Sequence, residues 1–126
     1  MADTLSPAEV VERSGFSIDT LRYYERIGLL DRIDRTVGGR RQFNENHLDW
    51  LGVLRCLRDT GMPIAEMQRY ADSAREGDAT LAQRLELLTE HAARVERTIA
   101  ELRRQQQHLA EKIAWYQAQI QIGPGE

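Results

Sequence analysis

TLRYYERIGLL, residues Thr20 to Leu30, sets two adjacent tyrosines among arginines and then places a glycine before two leucines. At about 3.6 residues per turn, Ile18, Leu21 and Tyr24 or Glu25 share one side of a helix. Asp19, Arg22, Tyr23 and Arg26 share the opposite side. A short helix that turns a tyrosine and two guanidinium groups away from its apolar side presents them to something other than its own core. Ser17 is placed to cap this helix and Gly28 to end it. Upstream, SPAEVVERSG reads as another short helix: Ser6 caps it, Pro7 fits the first helical position, Glu9 completes a capping box and Gly15 supplies a left-handed exit. Two short helices joined by the tight turn SGFS are the layout of a helix-turn-helix, whose second helix enters the major groove of DNA.

Downstream, LLDRIDRTVGGRRQF alternates loosely around the pair Gly38-Gly39, which predicts a small β-hairpin, read here as a wing. NENHLDWLGVLRCLRDTG predicts a helix capped by Asn44, with Trp50, Leu51, Leu54 and Leu57 on one face and Gly61 as terminator. Pro63 opens a further helix, PIAEMQRYADSARE, which fades at Gly77-Asp78. From Leu81 the positions Leu85, Leu88, Ala92, Val95, Ile99, Leu102, Gln106, Leu109, Ile113, Tyr116 and Ile120 alternate in steps of four and three. A helix of about 40 residues, rising about 1.5 Å per residue, extends about 60 Å and outruns what a small domain covers. It needs a partner helix, and the same helix from a second chain is the simplest one. Gln106 is the polar exception in the seam and fixes its register. The expected division is a DNA-binding head over 3–76, a linker at 77–79, a coiled-coil dimerisation helix over 80–122 and a tail at 123–126. The dimerisation residues are Leu85, Leu88, Val95, Ile99, Leu102, Leu109, Ile113 and Tyr116.

Charge distribution matters more than its sum. The chain has a net charge of -3, which by itself argues mildly against a nucleic-acid partner. Between Thr20 and Phe43, however, Arg22, Arg26, Arg32, Arg35, Arg40 and Arg41 outnumber Glu25, Asp31 and Asp34. Lys112 is the sole lysine, and the planar fork of arginine suits phosphates and guanine edges better than an ammonium does. Dimerisation would set two such heads on one duplex, so the expected target is an inverted repeat. No signal peptide or apolar span is recognisable, which predicts a cytoplasmic protein without a membrane partner. Cys56 is the sole cysteine, so one chain offers neither a disulfide nor a thiolate metal cage. His47, His91 and His108 lack ligand spacing. No metal, no cofactor and no catalytic residues are expected, and a thiol enzyme centred on Cys56 lacks any neighbouring histidine or oxyanion motif.

The stretches TLRYYERIGLL, GGRRQF, NENHLDWLGVLRCLRDTGM and the long C-terminal helix together resemble the MerR family of bacterial transcription regulators. The resemblance implies a mainly α fold with a winged helix-turn-helix head and an antiparallel coiled-coil dimer. It also implies a promoter with an overlong spacer, which the activated dimer bends and untwists so that RNA polymerase engages both promoter elements. Its DNA contacts carry over to Arg22, Tyr23 and Arg41, while Arg40 stands where the family often has an aromatic residue. Ser17, Thr20, Tyr24 and Arg26 complete the expected DNA-binding set, with Tyr24 as able to pack in the core as to meet phosphate. The region from Cys56 to Val95 and the late KIAWYQ look more like the subgroup that responds to aldehydes and other electrophiles through a single cysteine. Two readings of Cys56 stand: a small buried hydrophobe, or a redox or electrophile sensor activated by Arg55 and Arg58. Two alternatives to that trigger also remain, a constitutive architectural DNA-binder and a regulator switched by a non-covalent small molecule. Trp115 lies off the seam and is expected to pack on a partner head or line an effector pocket.

Overall fold

The computed structural model describes residues 4–31 and 33–122, so Asp3 and the expected tail at 123–126 lie outside the described residues. Among these residues the chain forms α1 (Pro7–Ser14), α2 (Ile18–Arg26), α3 (Glu45–Asp59), α4 (Ile64–Arg75), a 3-10 turn (Gly77–Thr80) and α5 (Leu81–Ile122). Local chemistry sets most of these boundaries. Ser6 and Glu9 form a reciprocal capping box at α1, and Gly15 leaves it at φ 78°. The Ser17 hydroxyl accepts from the Thr20 amide at 3.1 Å and opens α2. Asn44 caps α3 through the His47 amide, and the His47 ring accepts from the Asn44 amide in return.

The head packs around one apolar cluster. Val10 from α1, Phe16 from the turn, Leu21 and Tyr24 from α2, Leu51, Leu54 and Leu57 from α3, and Met67 and Ala71 from α4 are buried together. Each fully buried side chain of this size contributes about 1.5–3 kcal/mol relative to exposure. Tyr24, expected also as a phosphate contact, belongs here instead: it is 4% exposed and meets Phe16 edge-on at 5.3 Å. Its position three residues after Leu21 carries it to the inner side of α2. Leu88, placed in the dimer seam by its spacing, packs against this head cluster. The compact unit accordingly runs to Leu88, and the second unit takes up the rest of α5.

The expected hairpin wing does not form as paired strands among the described residues. The loop between α2 and α3 carries one isolated antiparallel bridge within itself, Arg35 with Arg41, and a second that joins Phe43 to Leu5 ahead of α1. The Thr36 amide donates to the Arg40 carbonyl at 2.7 Å and the Gly39 amide back to Thr36 at 2.9 Å, so the loop closes around Gly39 at φ 85°. Polar and charged residues flank the closure on both arms, leaving little apolar side-chain pairing to extend a ladder. Over the second unit, Ile99, Leu102, Leu109, Ile113, Tyr116 and Ile120 are exposed in the single chain. No described helix is long and apolar enough to cross a membrane.

Candidate nucleic-acid interface

Helix α2 divides as its periodicity requires. Leu21 and Tyr24 face inward, while Ser17, Asp19, Arg22, Tyr23 and Arg26 are exposed and Thr20 is half-buried beside the Ser17 hydroxyl. The Arg26 guanidinium lies 5.5 Å from the Tyr23 ring centroid, and Arg22 makes only a loose 3.4 Å pair with Asp19. Exposed pairs of this kind hold a side chain by less than about 1 kcal/mol, so both arginines remain available to an incoming anion. The outer surface of α2 is thus two guanidinium groups and one phenol on a capped helix. Such donors bond phosphate oxygens and base edges.

The loop contributes differently from its sequence reading. Arg40 is exposed. Arg41 is not a free cation: its Nε donates to Glu25 Oε1 at 3.0 Å, and both side chains are only 16% exposed. The other oxygen, Glu25 Oε2, accepts from the Ile33 amide at 3.1 Å. Burial opposes ionisation of Glu25 more than any other single effect, yet the Ile33 N–H, Arg41 and Arg35 together hold its carboxyl below the ordinary value. One carboxylate on α2 therefore straps both arms of the loop to the helix. Glu25 was not among the expected site residues. Its position beside Tyr24 on the inner side was the available signal.

Behind α2, α3 holds the turn of the helix pair. Arg55 Nη1 donates to the Ser14 carbonyl at 2.9 Å, and a Cβ on Gly15 would fall 1.7 Å from that nitrogen. Gly15 is thus required twice, for its positive φ and for this close approach. Arg58 lies 4.7 Å from the Phe16 ring centroid and beside the Tyr24 hydroxyl. Burial raises the Tyr24 pKa, and Arg58 opposes that rise. Asp59 accepts from Arg58 at 3.0 Å and from Arg55 at 3.3 Å. Cys56 sits between these arginines in sequence but is exposed, which corrects its reading as a buried hydrophobe. Leu54 and Leu57 take the inward positions of that turn, leaving residue 56 outside. Both arginines are occupied by Asp59 and by the turn, so the sequence neighbours of the thiol do not face it as free cations.

A cavity of about 380 Å³ opens beside Trp50, Leu30, His47 and Ala71. Its two charged lining groups, Asp31 and Arg75, are paired with each other. Among the described residues no cluster of His, Cys, Asp or Glu could hold a metal ion.

Residues 5–74 match the family model described as MerR HTH family regulatory protein, and residues 48–112 match the model described as MerR, DNA binding. The chain belongs to the MerR family. An HTH-type transcriptional regulator of Haemophilus influenzae is 38% identical over 120 residues, covering 95% of this MerR chain and 89% of that one. The HTH-type transcriptional regulator AdhR of Bacillus subtilis is 33% identical over 88 residues, covering 70% of this chain and 63% of that one. Among solved structures, HiNmlR, a MerR family regulator lacking the sensor domain and bound to promoter DNA, aligns at TM-score 0.84 and 38% identity over 92% of each chain. A MerR family regulator from Listeria monocytogenes aligns at TM-score 0.83 and 36% identity, over 92% of this chain and 88% of that one. This MerR chain is a DNA-binding transcription regulator, mainly helical and ending in a long helix.

Proposed function

We propose that the regulator acts in the cytoplasm as a homodimer on an inverted-repeat promoter, distorting the duplex on activation so that RNA polymerase engages it. The observation that carries this reading is the exposed Arg22, Tyr23 and Arg26 face on a helix whose opposite side is fully packed. Ser17 and Thr20 add hydroxyls at the helix N-terminus, where the dipole favours phosphate. The loop closed by Arg35 and Arg41 serves as the wing, with Arg40 as its phosphate contact and Arg41 as its strap. The dimer forms along α5. Leu102 is 62% exposed and Ile120 78% exposed in the single chain, a seam that a second copy covers. Val95 and Ile99 begin that seam, and Leu109, Ile113 and Tyr116 continue it.

The trigger we assign is addition of an electrophile to Cys56, which is supported by its exposure on the helix that holds the helix-turn-helix turn. The thiolate adds to the carbonyl carbon of an aldehyde or to the electron-poor alkene of a quinone. A sulfur–carbon bond forms, the displaced π pair takes up the proton the thiol released, and no outside oxidant or reductant is consumed. The test is transcription in vitro from a promoter selected by the native protein, with footprinting, comparing it with Cys56→Ser under aldehyde and quinone. Induction lost in Cys56→Ser at unchanged occupancy is the expected result. Equal induction in both proteins removes Cys56 from the mechanism and favours a non-covalent effector.

A further inference from the structure

The Tyr23, Tyr24 and Glu25 carbonyls at the end of α2 accept from the Ile27, Leu29 and Gly28 amides, and the carbonyls of the segment that follows need partners of their own. Just past α2 the chain turns through Gly28 at φ 85°. There, three consecutive carbonyls are each taken by a side chain from another helix. The Ile27 carbonyl accepts from Gln68 Nε2 at 3.1 Å, the Gly28 carbonyl from Arg75 Nη2, and the Leu29 carbonyl from Trp50 Nε1 at 2.7 Å. The donors lie 41, 47 and 21 residues away in sequence. They are themselves held: Trp50 stacks on Tyr70 at 5.7 Å with the rings 5° from parallel, and Arg75 also donates to Asp31 and Asp72.

Apolar packing under α2 is non-directional and tolerates small rotations and slides of a helix. Hydrogen bonds weaken steeply with angle, so three of them on successive carbonyls fix the direction in which the helix points. Arg75 adds a cation at the negative end of the helix dipole. Base readout by Arg22 and Tyr23 needs that direction fixed, because bidentate contacts to a base edge fail when the donor is displaced. Phosphate contacts are more forgiving, since the phosphates supply a continuous field.

We propose that Gln68, Arg75 and Trp50 are positioning residues for base readout, through which α3 and α4 set operator discrimination by gripping the end of α2. This rests on the reading that the outer face of α2 meets bases. Sequence discrimination belongs in part to residues on the far side of the recognition helix. The phosphate-driven part of affinity is independent of them.

The test uses the full chain and two duplexes: one selected by the native protein from a random-sequence pool, and a scrambled duplex of equal length. Gln68→Met keeps side-chain length while removing the donor, Arg75→Met keeps an apolar stem while removing the guanidinium, and a double variant combines them. Each affinity is measured across a salt series, with thermal unfolding recorded beside it. The double variant is expected to lose about tenfold in the ratio of selected to scrambled affinity, with scrambled binding and its salt slope unchanged. Arg75→Lys, which keeps the cation at the helix end, is expected to lose less than Arg75→Met. A merely structural role predicts a lower unfolding temperature with both affinities falling together, and that result overturns the proposal. So does an unchanged ratio in folded protein. If the double variant does not fold, Gln68→Met alone is read by the same criterion. Arg22→Ala separates the two levels: a ratio unchanged there sinks the underlying reading of α2. A ratio that falls in Arg22→Ala but not in the donor variants overturns the grip alone.

Discussion

Arg40 and Arg41 are adjacent arginines in one loop, and the structure gives them different surroundings. Arg40 is exposed, whereas Arg41 is bound to Glu25 with 16% of its side chain exposed. Each phosphate contact contributes about 0.9 to the slope of log affinity against log salt. A dimer with one Arg40 contact per subunit should therefore lose about 1.8 in slope when Arg40 becomes Gln. Between 50 and 200 mM salt that difference amounts to about twelvefold in affinity. Arg41→Gln should leave the slope almost unchanged, because it removes a strap and no phosphate contact. Its cost appears in stability. Losing a charge-assisted hydrogen bond in a part-buried site costs about 1–2 kcal/mol once solvent relaxation of the surviving partner is allowed for. The assay is a salt series by fluorescence anisotropy on a fixed duplex, paired with a denaturant double-mutant cycle of Arg41→Gln and Glu25→Gln at constant protein concentration. A coupling energy of about 1–2 kcal/mol is expected from the cycle. Equal flattening of the slope by Arg40→Gln and Arg41→Gln, with no coupling to Glu25, would refute the assignment.

Acidification should weaken the head in two stages. His47 is depressed below its ordinary 6.5 by burial, against Asp31 and Asp34, and its ring accepts a backbone N–H, which only the neutral form can do. Its contribution is present above 6.5 and is lost as pH falls toward the depressed value, so His47→Gln should flatten stability against pH in that window. Glu25 acts lower: its stabilisation is present above the ordinary 4.5 and is lost as pH falls through its lowered folded value, a stage that Glu25→Gln should abolish in urea titrations. Tyr24→Ala should cost about 3–5 kcal/mol in unfolding and Tyr24→Phe less than about 1.5, because the ring is core and the hydroxyl is secondary. Glutamates at both Leu109 and Ile113 should weaken the dimer by on the order of 3 kcal/mol or more, over a hundredfold, read by sedimentation as a shift to monomer.

The helix boundaries were legible because each has a local chemical signature. Ser6 with Glu9, Ser17, Asn44, Gly15, Gly28 and Pro63 act within a few residues of themselves, and the structure places the ends there. The length of α5 was legible for a related reason, since a long period repeats its message many times. What sequence could not show were interactions made across the fold. Arg41 meets Glu25 sixteen residues away, and the three side-chain bonds to the carbonyls just past α2 span 21 to 47 residues. A polar side chain bonding a distant backbone carbonyl leaves no periodic trace. Tyr24 and Leu88 were ambiguous for a subtler reason: each lies where two helical faces meet, and in the single chain both pack with the head cluster. The wing was read from its glycine pair, which fixes a turn but not the length of the arms beside it.

Lys112 is the only lysine in the chain, and its Nζ lies 5.1 Å from the Trp115 ring and 5.8 Å from that of Tyr116. The other tryptophan, Trp50, is half-buried in the head with its indole N–H spent on a carbonyl. The two tryptophans therefore report on the two units separately without any engineered label. A water-borne quencher reaches Trp115 first, and acylation of the lone side-chain amine changes that indole's emission while leaving the other silent. Events in the head and events along the rest of α5 can be followed as separate optical signals in unmodified protein.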